Sequence, residues 1–153
     1  KTWEQYRGKG RKMAVRSSPT FIPPQFSSED LPLWAAYKDE LESKYDKIEY
    51  SVRLHGQKLP ETEDPTYAAM WEKITARRVD TVGHTQDRID IIEFRPFAGP
   101  SAIGQLQMYR TLYEMEIAPT KPIKLILITD LITDHILLTA KAAGIEVIVI
   151  PRK

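Results

Sequence analysis

One stretch decides the fold of this chain: RRVDTVGHTQDRIDIIEFRPFAGPSAIGQLQMYRTLY, residues 77–113. Two strand-like runs, 76–84 and 88–95, occupy the first half of this region, and Gln86-Asp87 is the expected turn between them. Pro96 and Gly99-Pro100 then interrupt the chain, and a helix is expected over residues 101–117. The stretch therefore predicts a β-hairpin that is followed directly by a helix.

The flanking segments extend this pattern in both directions. Upstream, apolar spacing predicts a helix over 32–46 and a strand over 48–55, and Asp64-Pro65 is typical of the start of a short helix. Downstream, KLILIT (124–129) and IEVIVI (145–150) are continuous apolar runs, typical of strands buried on both faces. A helix over 131–143, ended by Gly144, is expected between them. We predict an α/β fold with a mixed β-sheet flanked by helices.

The composition excludes several classes of protein. The chain has 153 residues, a formal net charge of +1 and no cysteine, so disulfides, thiolate metal sites and cysteine nucleophiles are excluded. Its apolar runs are far shorter than a membrane span, and its first residues contain no apolar run of the kind that a signal peptide has. We therefore expect no membrane partner and a location in the cytoplasm.

The average charge hides a basic N-terminal segment. Residues 1–28 carry six basic side chains and one acidic side chain, together with glycines and prolines and no regular period. We predict an extended basic, Pro-rich arm over residues 1–30 and a globular domain over 31–153. Phe26 is one expected anchor of the arm. The arm would contact neighbouring protein subunits or the backbone of DNA, and the candidate DNA-binding side chains are Arg7, Lys9, Arg11, Lys12 and Arg16.

The hairpin brings three charged side chains together. A turn at Gln86-Asp87 places Glu93 opposite Asp80, and directly opposed residues share one face of the sheet. Arg95 lies on the same face because side chains alternate along a strand. Asp80, Glu93 and Arg95 are therefore expected to meet at one end of the hairpin.

Two interpretations of this cluster remain open. Asp80, Glu93 and the backbone carbonyl of Phe94 form a hard oxygen site that suits Mg²⁺ or Mn²⁺, which could activate water against a phosphodiester. Alternatively, Arg95 is the counterion of the two carboxylates and replaces the metal. Asp90 points away from Glu93 and is either a second ligand or a solvated residue. Asp130 and Asp134 are expected to cap and charge the start of the following helix.

The stretch 77–113 resembles the core of the PD-(D/E)XK nuclease superfamily. That family places an Asp on one strand and Glu-x-Lys on the next, here Asp80 and Glu93-Phe94-Arg95. Its RecB-like branch adds Gln-x-x-x-Tyr on the following helix, here Gln105 and Tyr109. The resemblance implies a restriction-endonuclease-like fold, a Mg²⁺ or Mn²⁺ cofactor and catalytic roles for these five residues.

One departure from the family pattern limits the functional prediction. Arg95 stands where the family has Lys, and an arginine stays protonated and cannot act as a base. Three hypotheses follow. The first is a catalytically impaired nuclease-fold protein that serves in a larger assembly such as a phage head-to-tail connector, which would place it in a virion. The second is an active metal-dependent deoxyribonuclease, and the third is a DNA-binding module that uses its basic arm.

Overall fold

The computed structural model describes residue 23 and residues 26–55 and 64–151 of the chain. Most of the predicted arm, including all five of its candidate DNA-binding side chains, lies outside these residues. The elements are α1 (Leu31–Lys44), β1 (Lys47–Leu54), α2 (Pro65–Thr75), β2 (Arg77–His84), β3 (Ile89–Phe94), α3 (Pro100–Ile117), β4 (Ile123–Thr129), α4 (Asp134–Ala142) and β5 (Ile145–Val149).

The described strands form one mixed sheet in the order β1-β2-β3-β4-β5. β1, β2 and β3 are antiparallel neighbours, whereas β3, β4 and β5 are parallel. The two parallel connections run through α3 and α4, since parallel strands need a crossover of about a dozen residues or more. The predicted α/β fold, a mixed sheet flanked by helices, is confirmed. None of the described helices combines the length and the apolar character that a membrane crossing requires.

Each face of the sheet is covered by its own apolar layer. On one face, α3 packs with Ala102, Leu106 and Tyr109 against strand residues that include Ile91 and Leu127. On the other face, α1 packs with Trp34 and Leu41 against a second set of strand residues, Ile48, Ile92, Phe94, Ile126 and Ile128. Phe26 joins this second layer, with its ring centroid 5.6 Å from that of Phe94, as expected of an anchor.

Two expectations about the C-terminal half need correction. β4 is buried on both faces as predicted, but β5 is an edge strand in which Glu146 and Val149 are exposed. The helix predicted from residue 131 begins only at Asp134. The Leu131 carbonyl instead accepts hydrogen bonds from the Ala98 N–H and the Thr129 hydroxyl. Leu131 therefore belongs to the loop between β4 and α4, which contacts the loop between β3 and α3.

The helix boundaries otherwise follow local chemistry. The Asp64 carboxylate accepts hydrogen bonds from the N–H groups of Thr66 and Tyr67 at 2.9 and 3.3 Å, which caps α2 as predicted. Gly144 follows α4 with a φ of 76°, a left-handed conformation that glycine adopts without steric cost. The predicted end of α4 at this glycine is confirmed.

Candidate active site

The site lies where β2 and β3 separate. The hairpin pairs His84 with Ile89 and Thr81 with Ile92, which is the predicted register. One step further, Phe94 donates its N–H to the Asp80 carboxylate at 3.1 Å. At this point the Asp80 side chain, and not a main-chain carbonyl of β2, accepts the hydrogen bond from β3. The carboxylate is therefore held between the two strands.

β1 contributes an irregularity at the same level. Ser51 has a φ of 53°, and the register of β1 with β2 places it opposite Asp80. Ile48 and Tyr50 pack on the α1 side of the sheet, whereas Val52 and Leu54 pack on the α3 side. The left-handed residue therefore reverses the alternation of the strand beside the acidic residue without changing its register with β2.

The two carboxylates form an electrostatically strained pair. Glu93 is buried, with 4% of its surface exposed, and Asp80 is half-buried. Burial raises the pKa of Asp80 to about 6, and burial together with the charge of Asp80 raises the pKa of Glu93 to about 8. Glu93 Oε2 is buried and has no hydrogen-bond partner. The pair therefore shares a proton near neutral pH or needs a cation.

Arg95 is fixed by three neighbours. Its Nη2 donates to Glu93 Oε1 at 3.2 Å and to the side-chain oxygen of Gln105, and its Nη1 donates to the Ser101 hydroxyl at 3.2 Å. Within the described residues it forms no ion pair with Asp80. The guanidinium therefore pairs with one oxygen of Glu93 and leaves the other oxygen without a hydrogen bond. Its charge also lowers the pKa of Asp80, but by less than burial raises it.

The structure brings the five residues of the motif into one place. Gln105 contacts Arg95 directly, and the charges of Glu93 and Asp80 add to burial in raising the pKa of Tyr109. The Tyr109 hydroxyl forms no hydrogen bond with the other four residues. The predicted convergence of Asp80, Glu93 and Arg95 is confirmed as geometry, while their catalytic roles stay predictions.

The donor set fits a magnesium-like ion. The described residues contain no cluster of three or more His, Cys, Asp or Glu side chains arranged for a metal. Mg²⁺, however, is usually held by one or two carboxylates, with water and substrate phosphate completing its shell. Asp80 and the unpartnered Glu93 oxygen would supply two such ligands. The Phe94 carbonyl lies on the same side of β3 as its N–H, which faces Asp80, because both groups of a strand residue point the same way.

The sequence reasoning did not identify two residues near the site. Ser101, in the first turn of α3, holds the Arg95 guanidinium. Asp30, at the start of α1, contributes a negative charge that adds to the raised pKa of Asp80. Ser101 lies six residues after Arg95, beyond a chain break, and Asp30 lies fifty residues before Asp80. Neither of these spacings in the sequence indicates that the two residues lie near the site.

Two other acidic residues have roles that differ from the predicted ones. Asp90 is fully buried on the α1 side of the sheet, where Tyr45 and Arg88 hydrogen-bond it, so it is neither solvated nor a second ligand. Asp130 accepts the Phe97 N–H at 2.9 Å, so it orders the loop after β3. Asp134 does lie in the first turn of α4, as expected.

Comparisons with known proteins support the fold. The chain is similar in structure to a repair endonuclease from Pyrococcus abyssi, with a TM-score of 0.50 and 16% sequence identity over 87% of this chain. The chain spans 50% of the length of that endonuclease. No protein-family model and no curated protein matches the chain. The sheet and its flanking helices therefore have a nuclease-like fold.

Proposed function

We propose that this chain is a metal-dependent, nuclease-type domain that acts on DNA and hydrolyses phosphodiesters slowly. One observation carries the proposal: a buried Glu93 oxygen without a partner lies beside a second carboxylate, and burial raises the pKa of both groups. An acidic pair in this state gains stability when a divalent cation replaces the shared proton. The likeness of the fold to a repair endonuclease supports the choice of a phosphodiester substrate.

Each side chain of the site has a distinct part in this proposal. Asp80 and Glu93 hold the cation, and the Phe94 N–H orients the Asp80 carboxylate. A divalent cation at this position would supply charge neutralisation on the phosphate and a more acidic water. Ser101 and Gln105 hold the Arg95 guanidinium, which then offers its remaining donors to a phosphate oxygen.

Arg95 also explains why hydrolysis is slow. A lysine in this position can lose its proton and can accept one from an attacking water, whereas the guanidinium remains charged at every accessible pH. Arg95 is also engaged with Glu93 Oε1, so it competes with the cation for that carboxylate. The site is therefore suited to bind a phosphodiester better than to cleave it.

A cleavage assay on linear DNA with Mn²⁺ tests the proposal. We expect slow cutting by the wild type, none by Asp80→Ala, and at least about tenfold faster cutting by Arg95→Lys, since general-base catalysis contributes about 10²–10⁴-fold. Asp87→Ala is the matched control, because Asp87 is an exposed acidic residue at the other end of the same hairpin. It should cut like the wild type.

Two results would contradict the proposal. Equal cleavage by Asp80→Ala and the wild type would show that the activity does not arise at this site. No cleavage by the wild type or by folded Arg95→Lys would instead favour the alternative role, a structural component of an assembly. Under that alternative, deletion of the predicted arm, residues 1–28, would abolish assembly.

A further inference from the structure

Two exposed arginines face each other across β1 and β2. The register pairs Arg53 directly with Arg78, so their side chains lie on the same face with Cβ atoms about 5 Å apart. In the described part of the chain, neither arginine forms an ion pair with a carboxylate. Like charges in directly opposed positions destabilise a sheet. A bound anion would relieve that repulsion.

The pair is adjacent to the carboxylate site along the strands, and its side chains lie on the α1 side of the sheet, because the neighbouring Val52 and Val79 pack on the α3 side. Arg78 precedes Asp80 on β2 by two residues, a rise of about 7 Å. Its Nη1 donates to the Ser51 carbonyl at 3.4 Å, and Ser51 is the β1 residue opposite Asp80. This contact directs the guanidinium along the sheet towards the level of the site.

We infer that Arg53 and Arg78 bind successive phosphate groups of the DNA backbone, next to the phosphate held at Asp80 and Glu93. The inference rests on the proposed function, because that function supplies the substrate. Guanidinium groups bind phosphate oxygens in a bidentate manner, and such contacts position a nucleic acid without reading its sequence. The pair would thus hold the strand in register with the site.

The test is the salt dependence of DNA binding in EDTA, where no divalent cation contributes. For Arg53→Gln/Arg78→Gln, the slope of log affinity against log salt should fall by about 2, one for each phosphate contact removed. Between about 50 and 200 mM salt the wild type should then lose about 15-fold more affinity than this variant. Arg53→Lys/Arg78→Lys should keep most of the slope, because the charges remain.

Lys44→Gln/Lys141→Gln is the control with the same change of net charge. Lys44 ends α1 and Lys141 lies in the last turn of α4, both exposed at the end of the sheet away from Asp80. This variant should keep the slope of the wild type. The arginine-to-glutamine variant should melt at the same temperature as the wild type or higher, because its substitutions remove a repulsion.

The possible results separate the two proposals. An unchanged slope in the arginine variant, or an equal fall in the lysine control, would overturn the inference about Arg53 and Arg78. So would a wild type that does not bind DNA. A wild type that binds DNA through the pair but never cuts it with Mn²⁺, even after Arg95→Lys, would overturn only the proposed hydrolysis.

Discussion

β3 carries two pairs of a carboxylate and an arginine, and the pairs differ in how completely they are satisfied. Arg88 and Asp90 lie near the start of the strand, Glu93 and Arg95 at its end, and each pair has the same spacing of two residues. The Asp90 carboxylate accepts hydrogen bonds from Arg88 Nε at 2.7 Å, from Arg88 Nη2 at 3.2 Å and from the Tyr45 hydroxyl at 2.6 Å. Both oxygens of this buried carboxylate have partners.

The second pair is left incomplete. Arg95 reaches only one oxygen of Glu93, at 3.2 Å, and the other oxygen faces no donor. Asp80 adds a second negative charge beside it, and this charge helps to raise the pKa of Glu93. A complete hydrogen-bond network stabilises and orients the strands. In an incomplete network a buried polar group is unpaired, so the binding of a ligand that pairs with this group is more favourable. The same residue types thus form a structural contact at one end of β3 and the candidate binding site at the other.

The largest expected effect concerns the complete pair. Arg88→Met should destabilise the fold by about 3 to 4 kcal/mol, because the fully buried Asp90 carboxylate then keeps only the Tyr45 hydroxyl as a partner. Chemical denaturation at pH 7 measures the change. Adding Asp90→Asn should recover a large part of the loss, since the buried charge is then removed as well. A loss under 1 kcal/mol in the single variant would show that the pair is not the structural contact that the comparison requires.

The incomplete pair should show the opposite behaviour on removal of its charge. The pKa of Glu93 is raised to about 8 in the fold, above its ordinary value of 4.5, so the folded state binds more protons than the unfolded state between these values. Stability therefore falls as the pH rises from about 4.5 to 8. Glu93→Gln cannot ionise and should be more stable than the wild type at pH 8.5 by on the order of 3 kcal/mol, with little difference at pH 4.

Thermal melting with and without Mn²⁺ completes this test. Mn²⁺ should raise the melting temperature of the wild type at pH 8.5, because ligand binding to the folded state stabilises it. The ion should have little effect on Glu93→Gln, which lacks one ligand. Equal pH profiles for wild type and variant would mean that Glu93 is already compensated in the fold.

Much of this contrast could be predicted from the sequence, for identifiable reasons. A short turn at Gln86-Asp87 fixes which residues of β2 and β3 oppose each other. The position of the turn therefore predicts that Asp80 and Glu93 lie close together. Element types followed from apolar spacing and from local signals such as the Asp64 cap and Gly144. These signals act over a few residues and need no knowledge of tertiary packing.

The parts that the sequence did not predict depend on contacts between distant segments. Asp90 is satisfied by Tyr45, which lies 45 residues away, so the spacing of charges on β3 could not distinguish a structural carboxylate from a ligand. β5 was predicted to be buried on both faces, yet an apolar run cannot show that a strand ends the sheet. α4 begins at Asp134, later than predicted, because the Leu131 carbonyl accepts a hydrogen bond from the Ala98 N–H and so belongs to the preceding loop.

The smallest expected effect compares the two tyrosines that accompany these pairs. Tyr45→Phe removes the donor to Asp90 Oδ2 and should cost about 1.5 kcal/mol, since a hydrogen bond to a charged group contributes about that much. The ring itself should stay in place, because it packs on Gly83, where an added Cβ would lie 2.6 Å from it. Tyr109→Phe is the matched control. Its hydroxyl has no such bond, and the charges of Glu93 and Asp80 disfavour its ionised form. We expect a change under about 0.5 kcal/mol by chemical denaturation, and equal losses in both variants would remove the distinction between the two ends of β3.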